Sequence, residues 1–148
     1  MLYSPEEKRK IILDNYNYPS KQIKLEELKK ISDNSQESFS TFHSLDQGCG
    51  DVIHLLIIKK DESIEKCFFS ARQSCLITVA FANILFSYLE EKKLKLVWEL
   101  LNNCQRMVEK KEYNLNDYPK LELFSDISSF PNRVECINLV IRGINTML

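Results

Sequence analysis

Val52-Ile53-His54-Leu55-Leu56-Ile57-Ile58-Lys59-Lys60-Asp61-Glu62-Ser63-Ile64-Glu65-Lys66-Cys67-Phe68-Phe69 is the stretch that decides the fold. Val52 to Lys59 is β-branched and apolar, and too short for a typical helix, so it reads as a strand. Lys60-Asp61-Glu62 makes a tight polar connection, and Ile64 to Phe69 returns as the next strand. Strands joined this briefly must run antiparallel. Upstream, Ser38 to Phe42 reads as a weaker strand with Phe39 and Thr41 on one side. The three segments make a small antiparallel meander.

From Cys75 onward the apolar period becomes helical. Leu76 to Leu89 is apolar on most sides, and Ala80 and Ala82 allow close approach, so a buried central helix is expected. After Glu90-Glu91-Lys92-Lys93, helical spacing resumes with Leu94, Val97, Leu100, Leu101, Cys104 and Val108. Residues 109 to 118 are polar, a short helix is expected from Lys120 to Ile127, and Phe130-Pro131 opens a last helix with Val134, Ile137, Val140, Ile141 and Ile144. Before the sheet, Ser4, Pro5 and Glu7 start a first helix as cap, first residue and capping-box partner. Ile11, Ile12 and Tyr16 form its apolar side, and Tyr18-Pro19-Ser20 ends it; Leu25, Leu28 and Ile31 suggest a short second helix. Helix, three antiparallel strands, then helices only: this order predicts an α+β fold, with residues 1–148 as one domain.

The composition excludes several functions. The chain has 148 residues, 44% of them apolar, and its 20 Lys and Arg against 21 Asp and Glu leave a net charge of −1. No general electrostatic footprint for nucleic acid or an anionic membrane results. The apolar runs Val52 to Ile58 and Cys75 to Ala82 fall far short of a membrane span, and Met1 to Lys8 lacks a secretory apolar region. A cytoplasmic protein is expected. The charge runs at 90–93 and 109–112 are expected to be solvated surface.

Five cysteines in such a setting argue against a disulfide framework, since the number is odd and cytosolic thiols stay reduced. Cys67 and Cys104 lie in apolar patterns and read as core. Cys49, Cys75 and Cys136 each fall at a loop or element boundary. Gly48 and Gly50 flank Cys49 in the turn Cys49-Gly50-Asp51, where glycine freedom can aim a thiol and a carboxylate into one place. Cys75 opens the central helix, where unpaired N–H groups lower a thiol's pKa, and Cys136 lies near the start of the last helix. Taken alone, Cys-Gly-Asp is a weak motif that reads as a polar hairpin turn sooner than as a site, and no pair has the C-x₂-C spacing of a zinc ribbon. His43 and His54 sit in strand-like segments without ligand partners, which makes them surface or core residues.

The three cysteines with Asp51 resemble the motif set of the U-type iron–sulfur scaffold family (NifU N-terminal domain, IscU and SufU). That family carries a C-G-D turn, a cysteine opening its central helix and a third cysteine near the start of its last helix. The opening Asp14-Asn15-Tyr16-Asn17-Tyr18-Pro19 is similar to the family's D-H-Y-x-x-P. Within the family, the stretch Phe130-Pro131-Asn132-Arg133-Val134-Glu135-Cys136 resembles the F-P-x-R-x-x-C of SufU. IscU instead places a histidine before the third cysteine and carries an L-P-P-V-K motif. The long step from Cys75 to Cys136 fits the insertion of SufU proteins. The chain departs from the family at Asp46-Gln47, where N-P is usual, and at Ser74, where glycine precedes the second cysteine; neither change removes a ligand.

The resemblance implies a Cys₃Asp zinc site at Cys49, Asp51, Cys75 and Cys136, with Cys49, Cys75 and Cys136 holding an iron–sulfur cluster when one is assembled. It implies a SufS-like cysteine desulfurase as partner, Cys49 as acceptor of persulfide sulfur, and apo iron–sulfur proteins downstream. It also suggests that the helical segment between the charge runs docks that partner. Arg133, one turn before Cys136, would serve the partner encounter or the site's electrostatics. Three thiolates and a carboxylate leave a zinc site at about −2, which helix N-termini can offset, and a carboxylate among thiolates suits a site meant to open. A second reading stays open, a non-catalytic zinc-binding domain whose metal only stabilises the fold. Sulfur acceptance would separate the two.

Overall fold

The computed structural model describes residues 3–35, 39–43, 50–71 and 74–148. In chain order come α1 (Pro5–Asn17), α2 (Leu25–Ser35), β1 (Phe39–His43), β2 (Val52–Lys60), β3 (Ser63–Ser70), α3 (Leu76–Leu89), α4 (Leu94–Val108), a 3₁₀ segment (Pro119–Ser129) and α5 (Pro131–Met147). The expected α+β architecture is present. The strands form one antiparallel sheet in the order β1-β2-β3, with Phe42 opposite Ile53 and Leu55 opposite Phe69. The β2–β3 turn is made by Asp61 and Glu62, both at positive φ (52° and 64°). Positive φ at both central residues gives the turn hand that matches strand twist, and the sheet imposes it on two residues that are not glycine.

Alternation along β2 sorts the sheet into two faces. Ile53, Leu55 and Ile57 join Cys67 and Phe69 in the main core, where α3 and α5 cover them. Leu56 lies outside that cluster yet is fully buried, as is Leu28 of α2, a helix that touches all three strands. The short helix suggested by Leu25, Leu28 and Ile31 therefore closes the opposite face. The outer edge of β3 is covered too. Ile23 N–H bonds Phe69 O at 2.9 Å, and Phe69 N–H bonds Lys21 O at 3.0 Å.

Two expectations are corrected and one holds in part. The capping box of α1 is formed, and Ile11 and Ile12 pack partly buried against the core, whereas Tyr16 is 39% exposed. Polar links join α1 and the start of the α1–α2 connection to α3: the Asn83 amide donates to Asn15 Oδ1 at 2.7 Å, and Asn83 Oδ1 accepts Lys21 N–H at 2.8 Å. The segment expected as a helix from Lys120 to Ile127 is a 3₁₀ run, Pro119–Ser129. Its buried Leu121, Phe124 and Ile127 recur every third residue, which is the 3₁₀ repeat. The run 90–93 is more than solvated surface, because Ile64 N–H bonds Lys92 O at 2.9 Å and the Lys92 ammonium lies 4.7 Å from the Tyr118 ring centre. The strand expected from Ser38 begins, among the described residues, at Phe39. No helix among the described residues is long and apolar enough to cross a membrane.

Gly143 sets how closely α5 approaches the sheet. A β-carbon there would meet Leu55 Cδ1 at 2.8 Å and Phe42 Cδ2 at 2.9 Å. Leu55 is fully buried and cannot swing away. Gly143→Val should therefore destabilise the protein by about 2 kcal/mol or more through overpacking. Gly143→Ala should cost less, because better helix propensity returns roughly 1 kcal/mol. Thermal unfolding followed by circular dichroism checks both, with a larger fall in midpoint expected for valine.

Candidate metal centre

The site forms where the start of β2 meets the first turns of α3 and α5. Gly50 adopts φ +63°, a left-handed conformation that suits glycine, and Asp51 beside it is only 3% exposed. Cys75 is the N-cap of α3, in extended conformation, and its side chain makes no cap hydrogen bond. Asp51 does that work from another element. Its Oδ1 accepts Cys75 N–H at 3.0 Å and its Oδ2 accepts the Thr78 hydroxyl at 2.5 Å. A free helix N-terminus has unpaired N–H groups and partial positive charge, so a buried carboxylate is held there by the donors it needs. Ser74 ties the same turn to the sheet, its hydroxyl donating to Val52 O at 2.7 Å.

From α5 comes Cys136, buried, its Sγ 3.1 Å from Cys75 Sγ and 3.5 Å from Asn132 O. One donor atom from each of Asp51, Cys75 and Cys136 lies within 4.8 Å of the others. The Cys75 thiol is brought down to about 6, chiefly by its hydrogen bond to Cys136 and also by the backbone amide of Thr78; burial and Asp51 act against the shift. The helix-end effect expected at Cys75 is thus real but smaller than that of the neighbouring cysteine.

The structure brings together three of the four ligands expected from sequence. Cys49, with Gly48 and the Asp46-Gln47 departure, lies outside the described residues. Cys67 and Cys104 are fully buried in the core, and burial pushes each thiol up to about 12. The Cys67 thiol donates to Phe86 O at 3.5 Å. His54 Nδ1 lies 2.7 Å from the Thr41 hydroxyl across the β1–β2 pair; the side chain of His43 is outside the described residues. Arg133 is exposed, its guanidinium 5.1 Å from the ring centre of Phe130, itself 50% exposed. Thr78 was not anticipated. Its signal was a hydroxyl within the apolar first turns of α3, three residues after the N-cap, where side chains reach back to the helix start.

Two thiols and a carboxylate suit a tetrahedral metal ion such as zinc, whose bonds of about 2.0–2.3 Å place donors roughly 3.3–3.8 Å apart. The two sulfurs, 3.1 Å apart, are slightly closer than that, and all three donor atoms lie within 4.8 Å of one another, so small adjustments would let these residues hold a metal. The features define a small α+β protein with a thiol–carboxylate centre at one end of its sheet.

Comparison with known proteins agrees with this fold. No protein-family model matches the chain. The chain is 23% identical over 100 residues to the iron–sulfur cluster assembly scaffold protein IscU of Thermotoga maritima, covering 68% of this chain and 70% of that protein. A crystal structure of a candidate iron–sulfur cluster assembly scaffold protein for the SUF system, from Fervidobacterium islandicum, aligns with a TM-score of 0.74 at 20% identity, over 99% of this chain and 96% of the other. A nitrogen-fixing NifU-like protein (N-terminal part) of Brucella abortus aligns with a TM-score of 0.74 at 12% identity, over 93% and 89%. These matches support the resemblance to the IscU/NifU-like scaffold family, and the fold is that of its SufU and NifU-like members.

Metal-free protein should show the thiol ranking directly. With Cys75 lowered to about 6, its thiolate predominates at pH 7 and is lost as pH falls through that value. Iodoacetamide labelling, quantified peptide by peptide, should modify Cys75 with a midpoint near pH 6, while Cys67 and Cys104 stay unmodified until the protein is unfolded. Labelling of Cys104 ahead of Cys75 would contradict the assignment.

Proposed function

We propose that this protein is an iron–sulfur cluster assembly scaffold that takes sulfur from a cysteine desulfurase. The convergence of Asp51, Cys75 and Cys136 from three separate elements carries this reading. The similarity to the Thermotoga IscU and to the Fervidobacterium and Brucella structures supports it. Cys49, two residues before Asp51, supplies the fourth ligand, and the chain acts as one scaffold unit in the cytoplasm. Zinc held by Cys49, Asp51, Cys75 and Cys136 would neutralise the thiolates and protect them from oxidation. Iron and sulfide are the cargo, assembled on Cys49, Cys75 and Cys136 and passed to apo iron–sulfur proteins.

Cys49 is the sulfur acceptor. Cys75 and Cys136 are anchored on helices, whereas Cys49 sits between two glycines in the sequence. Its thiolate attacks the outer sulfur of the persulfide on the desulfurase cysteine. The donor's S–S bond breaks as the new one forms, the donor departs as a thiolate, and Cys49 carries the persulfide; no net electrons are exchanged. The exposed Phe130 ring with Arg133 stacked on it, at the start of the helix that carries Cys136, offers an aromatic and cationic contact for the partner.

The test combines the protein with its desulfurase and free cysteine, traps persulfides by alkylation and maps them by mass spectrometry. Persulfide is expected on Cys49 and absent from Cys49→Ala. Sulfur found mainly on Cys75 or Cys136, with Cys49→Ala fully active, would sink this mechanism. Arg133→Ala should retain its zinc yet activate the desulfurase several-fold less; unchanged activation would make Arg133 an ordinary surface residue.

A further inference from the structure

We propose that Thr78 is the positioning residue of the metal centre, holding Asp51 in place as its fixed ligand. The inference rests on the metal reading above and assigns a role to a residue outside the ligand set. Thr78 is fully buried, and it faces two of the ligands. Its hydroxyl lies 2.5 Å from Asp51 Oδ2 and 3.5 Å from Cys75 Sγ, and its backbone amide also bonds the Cys75 sulfur. A hydroxyl has a single proton to give. The carboxylate oxygen is nearer and is the stronger acceptor, so the proton goes to Asp51.

With Cys75 N–H on Oδ1 and the Thr78 hydroxyl on Oδ2, the carboxylate cannot turn without breaking two hydrogen bonds. The carboxylate is thereby held with an oxygen within 4.8 Å of both sulfurs. Groups that orient a ligand in this way commonly set metal affinity as strongly as a ligand's own packing does. The site then has an internal order of mobility. Asp51 is held at the helix end by Cys75 N–H and the Thr78 hydroxyl, so the ligand that leaves when the centre opens is one not tied to α3.

Zinc affinity, measured by competition with a chromophoric chelator on the full chain, tests the assignment. Thr78→Val keeps the shape and removes the donor, and should weaken zinc binding by about 10–100-fold. Thr78→Ser keeps the donor and should stay close to wild type. Circular dichroism in chelator verifies folding, and Thr78→Ala replaces the valine variant with the same expectation if valine does not fold. A double-mutant cycle separates positioning from packing: in an Asp51→Ala background, Thr78→Val should change zinc affinity by less than about 2-fold. Wild-type affinity in Thr78→Val, or losses that simply add in the double variant, overturns the role of Thr78 and leaves the metal reading standing. Wild-type protein that takes up no zinc overturns both.

Discussion

One carboxylate joins the sheet of this protein to the helix packed across it. Asp51 sits at the start of β2 and accepts both the N–H of Cys75 and the hydroxyl of Thr78 at the N-terminus of α3. Each side of that contact would be costly alone. A buried carboxylate without donors is strongly unfavourable, and a helix whose N-cap side chain makes no cap bond leaves N–H groups unpaired. Together they satisfy each other. The same contact brings the carboxylate within reach of a thiol, so a structural need and a chemical arrangement are met by one residue.

The second thiol depends on how α5 lies. Gly143 lets that helix come down on Leu55 and Phe42, two turns beyond Cys136. Close seating of α5 on the sheet places Cys136 Sγ against Cys75 Sγ, and this pairing is the largest cause of the lowered Cys75 pKa. The two core cysteines show the opposite outcome of burial: without a partner of this kind, their thiols are pushed up and become inert. The four described cysteines are thereby divided by environment into two pairs, Cys75 with Cys136 and the inert Cys67 and Cys104.

Much of this is legible in the sequence, for identifiable reasons. Val52 to Phe69 announces a hairpin because β-branched runs flank a short polar turn, and Leu76 to Leu89 gives the central helix its observed bounds. The candidate ligands stood out because Asp51, Cys75 and Cys136 fall at or near element ends, where a side chain can converge on its neighbours without disturbing the core. The misses also have causes. The 3₁₀ run from Pro119 differs from an α-helix only in a three-residue apolar spacing, which a short segment hardly distinguishes. The role of 90–93 in covering β3 is made by backbone groups, which charge patterning does not register. Thr78 went unseen because its neighbours mark α3 as core, and a single hydroxyl carries no motif.

In the proposed site, Asp51, Cys75 and Cys136, completed by Cys49, form one metal centre. X-ray absorption at the zinc edge on zinc-loaded protein tests it most directly, because sulfur and oxygen neighbours scatter distinguishably. The account predicts a four-coordinate shell of three sulfurs and one oxygen, with the oxygen contribution lost in Asp51→Ala. A shell dominated by nitrogen or oxygen, or one unchanged when Asp51 is removed, would contradict it.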